Sequence, residues 1–239
     1  QWAVLSISGP NSREFLKDLT NIDLSKENFP FMKFREGEVC GVKARVFRIS
    51  FTGELSYEVN VPARYGRYVW EKFMEHGKKY NITPYGTETM HVLRAEKGFI
   101  IVGQDTDGSV TPSDMNMDWI VSKKKEDFLG KRSFTRSDTV RHDRKKFVGL
   151  LVNDKKTILP EGSHIVEKAL KQPPMKMLGH VTSSYYSPTL GYPIALAMLK
   201  DGISKMGEQV VVPLMNGKII EATVTDTIFY DKEGKRNNE

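Results

Sequence analysis

From residue 147 to residue 230 the chain carries six short apolar runs, 147–152, 163–166, 178–185, 194–199, 209–214 and 218–230, separated by prolines and glycines and without a convincing helical period. Short runs of apolar residues between turn formers read as strands. Six such strands with no helix to cover them must bury their apolar faces against one another, which predicts a small barrel or a sandwich.

The chain before residue 143 reads differently. A strand at 2–8 meets the turn Gly9-Pro10-Asn11, with Asn11 or Ser12 as the cap of a helix that carries Phe15, Leu16 and Leu19 on one face. A second strand at 42–51 alternates Val42, Ala44 and Val46 with Lys43 and Arg45. It turns at Thr52-Gly53-Glu54 into a partner strand at 56–61, which is a hairpin. Helices follow at 63–80, with Val69, Trp70 and Phe73 among the apolar positions, and at 85–97, stopped by Gly98. Mixed strands and helices predict an α+β layer. Between 128 and 146 the chain is highly charged and loses its apolar period, so we place a boundary near 143, giving regions 1–142 and 143–239. The tail after Asp231 is expected to fray.

Composition removes several classes of function. With 39% hydrophobic and 10% aromatic residues the chain can bury a core. No apolar run approaches the roughly 18 residues that span a bilayer, so no membrane contact is expected. A single cysteine, Cys40, makes neither an internal disulfide nor a thiolate metal site, and a reducing, cytoplasmic setting is expected. The +6 charge comes from short basic runs such as Lys123–Lys125 without interleaved aromatics, so nucleic acid is not an expected partner. The five histidines lack the close pairing of a metal motif, and neither a GxSxG elbow nor a phosphate-binding glycine loop is present.

What remains is the segment FTGELSYE at 51–58, with carboxylates Glu54 and Glu58 beside Phe51 and Tyr57. Alternation along a strand puts Tyr57 and Glu58 on opposite faces, so one of them faces inward. A buried carboxylate needs donors, either an arginine or the N–H groups of a flat heterocycle. Two solvated carboxylates on a hairpin are the simpler reading of this pattern taken alone.

The segment resembles the TGExxxE hairpin of the aminomethyltransferase family, founded on the T-protein of the glycine cleavage system. LRAEKG at 93–98, GQDTDGSVTP at 103–112, DFLGKRSF at 127–134 and GHVTSSYYSP at 179–188 are similar to that family's successive motifs, in order. Within the family, the stretches PYGTETMHVLRAEKGFIIVGQDTDGSVTP and VSKKKEDFLGKRSF resemble the C-terminal region of the alpha subunits of heterotetrameric sarcosine oxidases.

The resemblance implies an aminomethyltransferase-like α+β domain at 1–142, lacking its N-terminal part, and a small antiparallel β-barrel at 143–239. It implies a piece of a larger enzyme whose other subunits are its partners. There the one-carbon unit from oxidative demethylation is captured on tetrahydrofolate, with FAD, FMN and NAD bound elsewhere in the complex. A T-protein, a dimethylglycine oxidase and another folate-dependent demethylase are the alternatives within the superfamily. A non-enzymatic folate-binding module is the alternative outside it, set against KGFIIVGQD at 97–105, which lacks that group's cysteine. By motif position, Glu58 would hold the pterin edge, Phe51 would stack on the ring, Arg94 would support the site, and Trp119 and Tyr230 would supply aromatic surface. Phe51 stands where related enzymes carry tyrosine, and Met90 where the T-protein carries an arginine. The family's catalytic acid falls upstream, so the resemblance implies no catalytic residue in this chain.

Overall fold

The computed structural model describes residues 1–238, which form two compact units: residues 1–94 with the segment from Asp231 onward, and Ala95–Tyr230. The boundary placed near 143 falls inside the second unit, just ahead of its first barrel strand.

The first unit is an antiparallel four-stranded sheet in the order β1-β4-β3-β2, built from β1 (Trp2–Ser8), β2 (Phe34–Val39), β3 (Val42–Phe47) and β4 (Ser56–Pro62). Period-two alternation decides its inner face. Leu5, Ile7, Val42, Ala44, Val46, Tyr57, Val59 and Val61 are buried, and the residues between them point away. Against that face pack α1 (Ser12–Lys17), through Phe15 and Leu16, and α2 (Gly66–Gly77), through Val69 and Phe73. The rings of Phe15 and Phe73 meet edge-on at 5.4 Å, the geometry their quadrupoles favour. The helix expected at 63–80 is α2 with a 3-10 turn at each end. That expected at 85–97 is α3 (Thr87–Glu96), after which Gly98 takes φ +67°.

Three expectations are corrected here. The strand expected at 42–51 ends at Phe47, the last residue paired with β2 and β4; Arg48 follows on the inward side, buried, and its guanidinium donates to Phe29 O at 3.0 Å. The hairpin connection is therefore the whole stretch 48–55. β2 has no counterpart in the sequence reading, since FREGEV is a polar edge strand with only its last residue buried. It joins β3 through Cys40 and Gly41, both at positive φ, as a two-residue hairpin turn requires. The tail expected to fray instead forms α4 (Lys235–Asn238). Arg236 O accepts from Leu55 N at 2.9 Å and the Arg236 guanidinium pairs with Glu54 at 2.7 Å.

The second unit starts at the end of α3, passes through 3-10 turns at Pro112–Met115, Asp118–Ile120 and Lys131–Thr135, and closes as a barrel in the order β10-β5-β8-β7-β6-β9. Its strands are β5 (Lys145–Val152), β6 (His164–Val166), β7 (Met177–Ser187), β8 (Tyr192–Lys200), β9 (Gln209–Pro213) and β10 (Ile219–Thr225). All neighbours are antiparallel, so of the two all-β forms the pattern allowed, the barrel is the one adopted. Val148, Leu150, Ile165, Val181, Ala197, Val212 and Val224 fill it. At Gly179 a Cβ would sit 2.1 Å from Met198 O, so only glycine lets β7 lie this close to β8.

Candidate functional site

The two carboxylates of FTGELSYE have different fates. Glu54, in the connection, is neutralised by Arg236, a residue 182 positions away. Glu58 lies within β4, cross-strand from Ser6 of β1 and Phe47 of β3. The inward residue of the pair is Tyr57, fully buried, with its hydroxyl accepting from Arg13 Nε at 3.2 Å. Glu58 consequently emerges on the opposite face, half-buried among its neighbours. Partial burial raises its pKa above the usual carboxylate value, and nothing lowers it. Among the described residues no side-chain donor or cation bonds its carboxylate. The arginine on that face, Arg45, is engaged by Glu36 at 2.9 Å and lies over the Trp2 ring at 5.0 Å.

Phe51 sits half-buried in the connection 48–55, where Ser50 Oγ accepts from Gly53 N at 2.9 Å and Gly53 turns the chain at φ +80°. Arg94 is fully buried on α3. In the second unit Trp119 is 78% exposed on its 3-10 turn, and the half-buried Tyr230 is pinned by its amide, which donates to Glu96 O at 3.0 Å. The structure thus carries Phe51, Glu58 and Arg94 in the first unit, and Trp119 and Tyr230 in the second. Met90 lines an apolar cavity of about 560 Å³ in the first unit, to which none of those five contributes.

The second unit accounts for two of the matched motifs on structural grounds. Asp105, buried to 1% exposure, accepts from Thr182 Oγ1 at 2.6 Å, Ser183 Oγ at 2.7 Å and Ile101 N at 2.8 Å. The two N–H groups of the Gln104 side-chain amide are shared among four acceptors within reach, Glu161, Thr182 O and the hydroxyls of Ser183 and Tyr185. The GQD and TSSY sequences are therefore the two halves of one buried network, seated where β7 bulges between Val181 and Ser183. A second buried acid, Asp114, completes a capping box with Thr111 and is held by the Arg144 guanidinium at 2.6 Å. Sequence reading missed both networks. Their only trace was the clustering of hydroxyl, amide and carboxylate residues within the two motifs.

Among the described residues, no cluster of three or more His, Cys, Asp or Glu side chains is placed to hold a metal, and no helix is long and apolar enough to cross a membrane.

A sheet-and-helix unit followed by a six-stranded barrel defines the class. The chain belongs to the glycine cleavage T-protein family: the GCVT N-terminal domain matches residues 1–125 and the T-protein C-terminal barrel domain matches residues 145–231. Among relatives, it is 48% identical to sarcosine oxidase subunit alpha of Corynebacterium sp. strain P-1 over 100% of this chain and 25% of that subunit. It is 32% identical to an aminomethyltransferase of Thermotoga petrophila over 95% of this chain and 59% of the relative. The crystal structure of the glycine cleavage system aminomethyltransferase T from Bartonella henselae superposes with a TM-score of 0.79 at 23% identity, over 97% of this chain and 60% of that one, which supports the fold. The chain spans a quarter of the length of the sarcosine oxidase subunits it matches. The family and fold expected from the motifs are those found.

Proposed function

We propose that this chain is the tetrahydrofolate-binding part of a sarcosine oxidase alpha-type subunit, in which the one-carbon unit released by oxidative demethylation of sarcosine is captured as 5,10-methylenetetrahydrofolate. The observation that carries this reading is Glu58: a half-buried carboxylate, destabilised as an anion, without a side-chain partner among the described residues. Desolvating a carboxylate without compensation costs stability, so a ligand that brings matched donors gains from its being there. A pterin presents a ring N–H beside an amino group, the pair a carboxylate accepts with both oxygens. Phe51 supplies an aromatic face for the same ring. Tetrahydrofolate, when bound, provides the nitrogens that take up the one-carbon unit. The contribution of Glu58 is to bind and orient it.

Arg94 as a supporting residue, and Trp119 and Tyr230 as aromatic contacts, rest on their motif positions alone, and each is tested by its own substitution. The flavins, the nicotinamide cofactor and the other subunits belong, on this reading, to polypeptide outside residues 1–239. The 48% identity along the whole chain supports the assignment to the sarcosine oxidase type.

The test is calorimetric titration of the whole complex with tetrahydrofolate, comparing the parent with Glu58→Ala. Loss of a charged hydrogen-bonding partner predicts about 2 kcal/mol weaker binding. Unchanged affinity would refute the role of Glu58. Oxygen-dependent turnover of sarcosine by this chain alone would refute the assignment of the chemistry to the rest of the complex.

A further inference from the structure

Three side chains of the second unit stand in one row across neighbouring strands of the barrel. His164 of β6 is directly opposite His180 of β7, and His180 is directly opposite Met198 of β8. Their neighbours in sequence, Ile165, Val181, Ala197 and Leu199, fill the barrel, so alternation puts all three on its outer face. Val181 N donates to Ser163 O at 2.9 Å. The next pair, His164 with His180, is therefore of the non-hydrogen-bonded kind, in which opposed side chains stand closest.

Among the described residues neither imidazole takes part in a hydrogen bond. His164 is exposed, while the half-buried His180 lines a cavity of about 430 Å³ together with Met198, Lys145 and Asp107. Met198 is 3% exposed yet stands outside the barrel's core, so its thioether is shielded from water without being part of the interior packing. Burial first, and then the charge of Lys145, hold the His180 imidazole below its usual pKa against the pull of Asp107. At neutral pH it is therefore in the uncharged form that binds metals.

We propose that His164, His180 and Met198 form a binding site for a monovalent copper ion. Directly opposed residues on adjacent strands have Cβ atoms about 5 Å apart. An ion with bonds of about 2 Å to nitrogen and slightly longer ones to sulfur is thus within reach of all three from a position over the middle strand. Two imidazoles alone would suit zinc, nickel or divalent copper, whereas the soft thioether selects Cu(I). Lys145 favours the same choice, because it repels a singly charged ion half as strongly as a doubly charged one. The third ligand is a methionine, so no cluster of His, Cys, Asp and Glu alone marks the place among the described residues. The site rests on the barrel by itself and does not depend on folate binding.

Methyl NMR of the full chain with labelled methionines tests it, with Cu(I) kept reduced by ascorbate under argon as the probe. Cys40→Asn in every sample removes the only thiol, at a positive-φ turn position that suits asparagine before Gly41. Equimolar Cu(I) should move the Met198 methyl and the ring signals of His164 and His180, whereas Zn(II) should leave that methyl in place. His164→Ala, at an exposed position, and Met198→Leu, which keeps the volume, should leave the amide spectrum of the barrel intact. Each should weaken Cu(I) binding by about tenfold or more in competition with a chromogenic chelator. An unmoved Met198 methyl, or the parent's affinity kept in either variant, would overturn the proposal. So would Zn(II) bound as tightly as Cu(I), which would assign a plain pair of imidazoles.

Discussion

The two units solve the same problem of unpaired polar groups in opposite ways. The barrel closes, so its strands have no free edge, and its buried acids are matched: Asp105 accepts from two hydroxyls and an amide, Asp114 is clasped by Arg144, and Glu96 accepts from Ser187 Oγ at 2.6 Å. The sheet of the first unit stays open at β1 and holds in β4 an acid that nothing in the described chain satisfies. A closed, satisfied unit stores stability. The open, unsatisfied one has donors and acceptors left for something else to meet.

The largest expected effect probes the closed unit. Asp105→Ala removes the shared acceptor of the Thr182 and Ser183 hydroxyls and of the Ile101 amide at a buried position, leaving Thr182 only its bond to Leu196 O, and should cost about 3 kcal/mol in urea unfolding. A loss under about 1 kcal/mol would mean that water reaches the site and the contrast with the open sheet is weaker than drawn. Glu58→Ala is next, costing about 2 kcal/mol in folate affinity with no comparable loss of fold stability. If the fold suffers as much as the affinity, Glu58 is a structural acid like Asp105.

A smaller effect concerns pH. The pKa of Glu58 is raised in the folded state, so its contribution is fully present below the unfolded value near 4.5 and is lost as pH rises through the higher folded value. Glu58→Gln should remove that decline, leaving the variant at least as stable as the parent at pH 7. A variant clearly less stable at pH 7 than at pH 4 relative to the parent would reverse the sign. Smallest is Arg236→Ala. It breaks a partly exposed pair with Glu54, worth about 0.5–1 kcal/mol, and should speed proteolysis of the segment from Asp231 without altering the barrel.

Much of this was legible in the residues. β1 lies where the sequence placed a strand, and the six apolar runs after residue 146 are the six barrel strands, because a strand buried on one face writes a period of two into its sequence and one buried on both faces, as β8 is, writes a continuous apolar run. β2 escaped because an edge strand with solvated faces writes no such period. The end of β3 escaped because a buried arginine at position 48 resembles any polar residue until its acceptor, Phe29 O, is found. Of the candidate site, the motifs named Glu58, and alternation limited the inward residue to Tyr57 or Glu58 without choosing between them.

Local pattern and motif order thus determined the family, the strands of the barrel and the position of the candidate acid, since each depends on residues close together in the chain. Only the tertiary structure decided that Glu54 is answered by Arg236 while Glu58 is not, that GQD and TSSY are one network, and that β1 keeps an open edge. Whether a charge or an amide has a partner depends on residues up to 182 positions away, and only folding brings those together.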